Sequence, residues 1–367
     1  MSMTHRDRVL AALNREIPDR CPMQICFTPE FNLRLREYYK CKGYTYKPEP
    51  EGEINTELEF LTDQDMLLSW VGWTDETKIK YIPGEEFTDR WGVLRRPTEY
   101  VTPFGKGIYN ELVGHPLADE SKITSYKPPD PFDPELYTGV DGLLRNYKDE
   151  YWIVGVAVTT MYETAWALRG FEQMFIDFIV NPDIVHSIFD IAWNYHFSVA
   201  KILVKKGVDM IWIGDDVGSQ NRMLISPEIW RKYFKEKMSV FISSLKQINP
   251  DLKIAYHSDG YIVPIIPELI EIGVDILNPV QPASMDPVEI KKKFGDKLCL
   301  WGTIDEQNTL PFTNPESVRR EVAERIRTIG RDGGLILSPT HNIQLDTPME
   351  NFFAMVDAIR QPYRSYL

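Results

Sequence analysis

Two histidines and one aspartate stand directly after short apolar runs in the second half of the chain. His257 ends the run IAYH and Asp259 follows two residues later, while His341 comes just after the run LILSP. Imidazole and carboxylate groups are ligands that bind Zn²⁺ or Fe²⁺ with positions left open for a substrate. The same side chains could instead make hydrogen bonds in a metal-free pocket. These residues therefore predict a reactive pocket, either as metal ligands or as acid–base groups.

Further acids and one amide occupy equivalent places after other apolar runs. Asp215 and Asp216 in GDDVGSQN could hold or move a proton, because burial and mutual repulsion push the pKa values of neighbouring acids apart. We expect Asp215 to cap a loop and Asp216 to be the catalytic group. Asn278 in DILNPVQP and Asp305 in GTIDEQN could bind polar groups of a substrate, although both also suit ordinary turns.

Aromatic side chains make up 12% of the chain, and some of them could stack on a planar substrate. Tyr162 and Trp166 are the candidates that we assign to substrate binding. Trp70, Trp73 and Trp212 are further candidates, while most aromatic residues of a barrel this long are expected to belong to its core.

The elements that must carry these side chains alternate regularly along the chain. Short runs such as YWIVGVAV, DMIWIG, LKIAYH and GLILSPT are bounded by Gly, Pro, Asp or Asn, as buried strands are. Amphipathic stretches separate them, which predicts parallel strands joined by helices. Several runs end in polar clusters, and this favours a barrel with one polar mouth over an open sheet. We predict an α/β protein with a single (β/α)8 TIM barrel domain over residues 1–367.

Residues 83–134 break this rhythm, because aromatic, Gly and Pro residues alternate there with little helical period. We predict that they form a β-hairpin insertion in the N-terminal third of the barrel. Such a segment could cover the barrel without a chemical role, or it could be a lid that shapes the substrate pocket. The sequence leaves both roles open.

Charge and cysteine content exclude several classes of function. A net charge of −13 lacks the basic surface that nucleic acids or anionic membranes require. The N-terminal segment is charged and amphipathic, unlike a signal peptide, so we expect a cytoplasmic protein. The four cysteines are widely spaced and include no CxxC pair, which favours reduced thiols. No GxGxxG, GxxxxGK[ST], GxSxG or HExxH motif is present.

Taken together, the motifs resemble those of the uroporphyrinogen decarboxylase superfamily. The matching segments are THRDRVLAALNREIPDRCPM, GDDVGSQNRMLISPEIWRKYFKE, IAYHSDGYI, DILNPVQP, LWGTIDEQNTL and SPTHNIQLDTPMENF. The resemblance extends over almost the whole chain and implies a (β/α)8 barrel. It also implies one of two chemistries, which are metal-free decarboxylation of porphyrinogens and zinc-dependent methyl transfer to or from corrinoid proteins and other carriers.

Departures from the family patterns bear on the choice between these chemistries. The decarboxylases carry an arginine in an RQAGRY-type segment, and QICFTPEF replaces it here, so an acidic tetrapyrrole loses that cationic partner. The corrinoid-linked methyltransferases carry His-x-Cys and a later Gly-Cys, where this chain has His257-Ser258-Asp259 and Thr340-His341. Aspartate and histidine keep ligands at both places, and they are of the harder kind that suits an oxygen substrate.

The resemblance therefore implies a corrinoid-dependent methyltransferase of the O-demethylase type. A methyl group would pass from a small methoxylated, aromatic or otherwise methylated compound to the cob(I)alamin of a separate corrinoid protein. Zinc would be held by His257, Asp259 and His341. Glu236 is a further candidate ligand, because its spacing from His257 matches half of a zinc pattern in phenyl methyl ether demethylases. The metal or Asp216 would polarise the ether oxygen, and a homodimer is compatible with this picture.

Two alternatives remain open at this point. The first is a metal-independent decarboxylase or lyase acting on a small acid, with His341 and Asp216 as proton donors. The second is a barrel without catalytic activity that serves only as a binding subunit. Zinc content would separate the first alternative from methyl transfer, and a mouth filled by apolar residues would favour the second.

Overall fold

The computed structural model describes residues 3–47, 54–71 and 81–367. Its strands are, in chain order, β1 (Met66–Trp70), β2 (Phe87–Thr88), β3 (Leu94–Thr102), β4 (Gly105–Gly114), β5 (Trp152–Val158), β6 (Met210–Gly214), β7 (Lys253–His257), β8 (Ile276–Asn278), β9 (Cys299–Ile304) and β10 (Leu335–Pro339). Seven of them form one parallel sheet in the order β1-β5-β6-β7-β8-β9-β10. The predicted alternation of parallel strands and helices is confirmed.

Helices connect the strands and cover the outside of this sheet. They are α1 (His5–Leu13), α2 (Pro29–Cys41), α3 (Glu57–Leu61), α4 (Thr138–Tyr147), α5 (Tyr162–Arg169), α6 (Phe171–Val180), α7 (Pro182–Lys206), α8 (Pro227–Trp230), α9 (Glu236–Ile248), α10 (Ile266–Glu271), α11 (Pro287–Phe294), α12 (Thr309–Phe312), α13 (Pro315–Thr328) and α14 (Met349–Ile359). One π-helical turn, Arg231–Lys235, joins α8 to α9. Across the described ranges, no helix combines the length and apolar character needed to cross a membrane.

Side chains on the parallel strands alternate between two cores. In β5, Val154 and Val156 belong to an inner cluster, whereas Ile153 and Ala157 pack in an outer cluster beneath the helices. All seven strands contribute to the inner cluster, and α1 adds side chains at one end. The sheet is therefore curled around its own core, which explains why its strands are apolar on both faces.

The segment from Pro22 to Phe27 lies against the last strand of this sheet. The backbone N–H of Gln24 donates to the carbonyl of Leu337 in β10 (3.1 Å), and that of Leu337 donates to Pro22 (2.9 Å). On its other side, the carbonyl of Met23 accepts from the N–H of Asp65, immediately before β1 (2.8 Å). Both edge strands are thus bridged by one irregular segment.

Asp65 connects several parts of the chain at the N-terminal end of the sheet. Its buried carboxylate accepts from His5 (2.9 Å), from Arg8 (2.6 Å) and from Arg20 (2.7 Å). Burial alone would raise its pKa, but these donors hold the pKa of Asp65 below its ordinary value. The buried charge is therefore paired, and it ties α1 and the following loop to the start of β1.

Strands β2, β3 and β4 form a separate antiparallel sheet within residues 83–134. Near its tip, the guanidinium of Arg34 in α2 lies 4.1 Å from the centroid of the Phe104 ring, and Glu30 accepts from the N–H of Ile108 (2.8 Å). This sheet thus rests against α2. Its status as an insertion into the barrel, and any role as a lid, stays a prediction.

Candidate active site

Polar and aromatic side chains line an open cavity at the C-terminal ends of the parallel strands. The cavity measures about 190 Å³. Strands β1, β5, β6, β7, β8 and β10 or the residues just after them supply most of its wall, which consists of Gln24, Cys26, Trp70, Val158, Thr159, Glu163, Trp212, Asp216, His257, Asn278, Ser338, Pro339, Thr340, His341 and Asn342.

His257 is fixed in one orientation by a neighbouring amide. Its Nδ1 lies 2.9 Å from Oδ1 of Asn278 at the end of β8, and the Nδ2 group of Asn278 donates to the carbonyl of Trp301 (3.3 Å). Because the amide donates on one side, its oxygen faces the imidazole and accepts the Nδ1 proton. The Nε2 atom of His257 is then unprotonated in the neutral ring and available as a ligand.

Three of the predicted residues come together around that nitrogen. Asp216, His257 and Asp259 each offer one ligand atom within 4.8 Å of the others. Asp216 Oδ1 lies 3.6 Å from His257 Nε2 and also accepts the backbone N–H of Asp259 (2.8 Å). His341 lies beside the group, with its Nε2 atom 4.0 Å from Asp259 Oδ2.

Close backbone packing brings the loops after β6 and β7 together. A Cβ atom on Gly218 would lie 2.6 Å from the carbonyl oxygen of Asp259, and one on Gly260 would lie 2.7 Å from that of Ser219. Gly260 has φ +79°, a conformation that L side chains rarely adopt. Glycine at these positions therefore lets Asp216 and Asp259, one on each loop, approach the same point.

Asp215 caps the start of α5 rather than the loop that follows it, and thereby places a further acid. Its carboxylate accepts the backbone N–H groups of Met161 (3.0 Å) and Glu163 (3.0 Å) at the start of α5. This contact holds the first turn of α5 against the end of β6. Glu163 consequently lines the cavity, where its Oε2 atom accepts the N–H of Asp216 (3.2 Å).

Several acidic side chains lie close together at and behind the cavity wall. Burial raises the pKa of Glu163 well above its ordinary value, and the charge of Asp216 adds to the shift. Burial also raises the pKa of Asp259, and it raises the pKa of Asp215 to about 7. Glu306, behind the wall, has a pKa raised well above its ordinary value by burial and by the charge of Asp259. Such a cluster favours a bound cation or a shared proton.

A divalent metal ion fits the residues that the structure brings together. Asp216, His257 and Asp259 provide two carboxylates and one imidazole, a donor set that suits zinc and other first-row metals. The Oδ1 atom of Asp259 is buried without a hydrogen-bond partner, and His257 already has the carbonyl acceptor on Nδ1 that metal-ligating histidines usually have. The donor set contains oxygen and nitrogen but no sulfur.

Several predicted site residues lie elsewhere in the structure. Tyr162 is fully buried and packs against Phe175, Phe178 and Phe234, whereas Trp166 is half-buried against Phe171, and neither belongs to the cavity wall. Asp305 folds back to accept the N–H groups of Gln307 (2.8 Å) and Asn308 (3.1 Å). Their assigned roles in substrate binding remain predictions without a supporting contact.

Glu236, Trp70, Trp73 and Trp212 complete the set of candidates. Glu236 is exposed at the start of α9 and lies outside the group of three ligands. Trp70 and Trp212 line the cavity, and their ring centroids are 5.8 Å apart. Trp73 falls outside the described residues. Asn278 does line the cavity, but its amide is engaged by His257 and Trp301.

Some wall residues were not predicted from the sequence. Glu163 lies in YETAW, an ordinary helical sequence, and only the acid-rich loop that follows β6 could have suggested a partner for its helix start. Cys26 contacts the cavity with a thiol that accepts from Gln24 (3.1 Å), and burial raises the pKa of Cys26 to about 12. Nothing in the segment QICFTPEF, which lacks the arginine of the decarboxylases, marks Cys26 as a wall residue.

Comparison with known proteins places the chain among its relatives. The family model described as Uroporphyrinogen decarboxylase (URO-D) matches residues 104–362. The chain belongs to this family. It is 26% identical over 272 residues to "Methylcobamide:CoM methyltransferase MtaA" of Methanosarcina barkeri strain Fusaro, a match that covers 73% of each chain. A match to the protein of that name from Methanosarcina barkeri has 27% identity and covers 50% of this chain and 51% of the relative.

Members with the decarboxylase name are also similar. Uroporphyrinogen decarboxylase of Coxiella burnetii is 21% identical over 50% of this chain and 51% of its own length. The chain therefore spans about half the length of the first of these URO-D relatives. A solved structure, "methyltransferase from Methanosarcina mazei", matches with a TM-score of 0.66 at 20% identity and covers 98% of both chains, which shows a shared fold.

Proposed function

We propose that this URO-D family protein is a methyltransferase of the O-demethylase type. It takes a methyl group from a small methoxylated compound and passes it to the cob(I)alamin of a separate corrinoid protein. The observation that carries the proposal is the grouping of Asp216, His257 and Asp259 at the strand ends, where Asp216 and His257 line an open cavity. The 26% identity with a methylcobamide methyltransferase over 73% of the chain supports it.

We also propose that the fold is a complete (β/α)8 barrel. We take residues 1–367 as a single (β/α)8 barrel, with the segment from Pro22 to Phe27 in the place of an eighth strand. Its hydrogen bonds to β10 on one side and to Asp65 on the other support this assignment. The cavity then lies at the barrel mouth, where (β/α)8 enzymes carry their active sites.

The charges of the cavity argue against a porphyrinogen as the substrate. Porphyrinogens carry several carboxylates, which need cationic partners when they are bound. No lysine or arginine is found among the described residues of the wall, whereas Glu163 and Asp216 are both present. A polycarboxylate would therefore lose its hydration and meet like charge.

A divalent ion, with zinc as the first choice, would be held by Asp216, by His257 through Nε2 and by Asp259, with His341 as a further candidate. When bound, such an ion supplies Lewis acidity toward an ether oxygen. Asn278 orients His257, since it accepts the Nδ1 proton. This set retains the ligands predicted from the sequence and adds Asp216 to them.

The remaining residues place the donor and manage protons. Trp70 and Trp212 provide aromatic surface beside His257, so a flat donor can lie between them and the acids. As the methyl carbon moves to the acceptor, the C–O bond breaks and its electron pair stays on oxygen. His341, whose side chain is 45% exposed at the mouth, can deliver the proton that this oxygen takes up.

Metal analysis of purified protein after zinc loading and brief dialysis tests the ligand assignment. We expect about one zinc per chain in the parent and a loss of most of it in His257→Ala and Asp259→Ala. His186→Ala, which removes an exposed histidine of α7, and Glu236→Gln are the matched controls and should keep their zinc. Zinc lost in Glu236→Gln but retained in His257→Ala would contradict the assignment.

One observation favours a second function, a metal-independent decarboxylase or lyase acting on a small acid. Glu163 lines the cavity, and burial raises the pKa of its carboxyl group well above the ordinary value, as a proton donor requires. In this case the metal-free parent would release carbon dioxide or an eliminated group from a small acid, and added zinc would not increase the rate of that release.

A further inference from the structure

One wall of the cavity offers aromatic surface to a ligand. Trp70 ends β1 with 38% of its surface exposed, and its ring meets Trp212 at 62° with centroids 5.8 Å apart. Trp212 is itself only 7% exposed, because it packs against Trp301 (4.6 Å) and against His257 (5.5 Å). Trp212 is thus held by its own neighbours and supports one edge of Trp70, whose exposed ring surface can contact a planar partner.

The same cavity carries acids on and beside its wall. Glu163 and Asp216 belong to the wall, Asp216 accepts the backbone N–H of Asp259 (2.8 Å), and Glu306 lies close enough to Asp259 to feel its charge. Glu306 is only 9% exposed, and both of its carboxylate oxygens are shielded without a hydrogen bond of good geometry among the described residues. The carboxylates of Asp216 and Asp259 would together balance the charge of a divalent ion, so the site offers no surplus positive charge to attract an anion.

We infer that the cavity selects an uncharged planar ring, for which Trp70 is the stacking surface and the acids reject a carboxylate-bearing analogue. The inference rests on the proposed function for the role of this ring as the methyl donor. A carboxylate on the ring would leave water for a site whose described wall includes no lysine or arginine. A neutral methoxyarene has no such cost and gains contact with the exposed indole.

Calorimetric binding to the zinc-loaded full chain tests the selectivity without any need for turnover. The matched ligands are 2-methoxyphenol and 4-hydroxy-3-methoxybenzoate, which share the methoxyphenol group and differ by one carboxylate. We expect the neutral compound to bind at least about tenfold more tightly at low salt. The difference should shrink at about 0.5 M salt, since screening weakens charge repulsion.

Three variants separate the two parts of the inference. Trp70→Leu should weaken binding of the neutral ring by about three- to tenfold. Trp193→Leu, which changes a half-buried tryptophan of α7 outside the cavity wall, should leave it unchanged. Asn342→Lys places a cation on the wall and should raise affinity for the carboxylated ring by about fivefold or more, with little effect on the neutral one.

Equal affinity for the two ligands, or no binding of either, would overturn the inference. Unchanged binding in Trp70→Leu would overturn the role of that ring. Retained selectivity in a chain that transfers no methyl group would leave the inference standing and count against the proposed function alone.

Discussion

The backbone of Gly214 comes closer to a neighbouring strand than a side chain would allow. Gly214 ends β6 with φ +145°, opposite His257 in β7. A Cβ atom there would lie 2.5 Å from the backbone nitrogen of His257 and closer still to its carbonyl oxygen. Both atoms belong to the backbone and cannot rotate away, so Gly214→Ala must push β6 and β7 apart and displace His257.

The expected cost combines two contributions. The positive φ costs about 1 to 3 kcal/mol for a residue with a side chain, and each ladder hydrogen bond that is lost costs about 1 kcal/mol. With two such bonds lost, the total is about 3 to 5 kcal/mol, which lowers the thermal midpoint of a chain of 367 residues by about 4 to 7 °C. Differential scanning fluorimetry of parent and variant measures this shift, and chelator competition measures the zinc affinity, which should also fall.

Gly43→Ala provides the matched control for Gly214→Ala. Gly43 also has positive φ, +91°, but a Cβ atom there would meet no heavy atom within 4 Å. Gly43→Ala should therefore lower the free energy of unfolding only by the cost of the positive φ, about 1 to 3 kcal/mol. Equal midpoints for the two variants, or an unchanged zinc affinity in Gly214→Ala, would refute the reasoning.

Three further predictions follow from other contacts. Asn278→Ala frees the ring of His257 and should weaken zinc binding by about 10- to 100-fold in chelator competition, while unchanged affinity would count against the orienting role. Asp65→Asn leaves Arg20 underpaired at a buried site and should lower the free energy of unfolding by about 3 kcal/mol in urea titrations; a loss below about 1 kcal/mol would contradict this. Burial raises the pKa of Glu59 from 4.5 to about 7. Between these two pH values the folded metal-free chain keeps a proton on Glu59 that the unfolded chain has lost, so the free energy of unfolding falls as pH rises from 4.5 to 7. Glu59→Gln should flatten this part of the pH profile of the thermal midpoint.

The alternation of strands and helices could be predicted because buried parallel strands read as short continuous apolar runs. Runs such as WIVGVAV and MIWIG became β5 and β6 with residues directed into two cores. The segment from Pro22 to Phe27 carries no comparable pattern. It is placed by bonds to Leu337 and to the residue before β1, which are distant in sequence and therefore invisible to local periodicity.

The site could be predicted where a residue stands at a strand end, since parallel strands bring those ends together. His257, Asp259 and Asp216 meet for this reason, and His341 lies beside them. Position at a strand end does not distinguish these residues from Asp305, which also follows a strand but whose side chain accepts a hydrogen bond within its own loop. Whether a polar residue at a strand end faces the cavity depends on the local donors that compete for it.

The position of Glu163 in the cavity wall could not be predicted from the sequence. It reaches the cavity because Asp215 binds the first turn of α5, a contact between residues more than fifty positions apart. Tyr162, its neighbour in the same turn, points the other way into an aromatic core. Helical spacing alone predicts that adjacent residues diverge, but the tertiary contact decides which of them faces the cavity.

The central claim is methyl transfer, and a single-turnover reaction with free cob(I)alamin tests it most directly. Zinc-loaded parent protein and 2-methoxyphenol should convert cob(I)alamin to methylcobalamin, followed by absorbance under anaerobic conditions, and release the demethylated catechol. Asp259→Ala should lose most of this rate, whereas His186→Ala should retain it. Formation of methylcobalamin at the same rate without enzyme, or equally well in Asp259→Ala and the parent, would contradict the account.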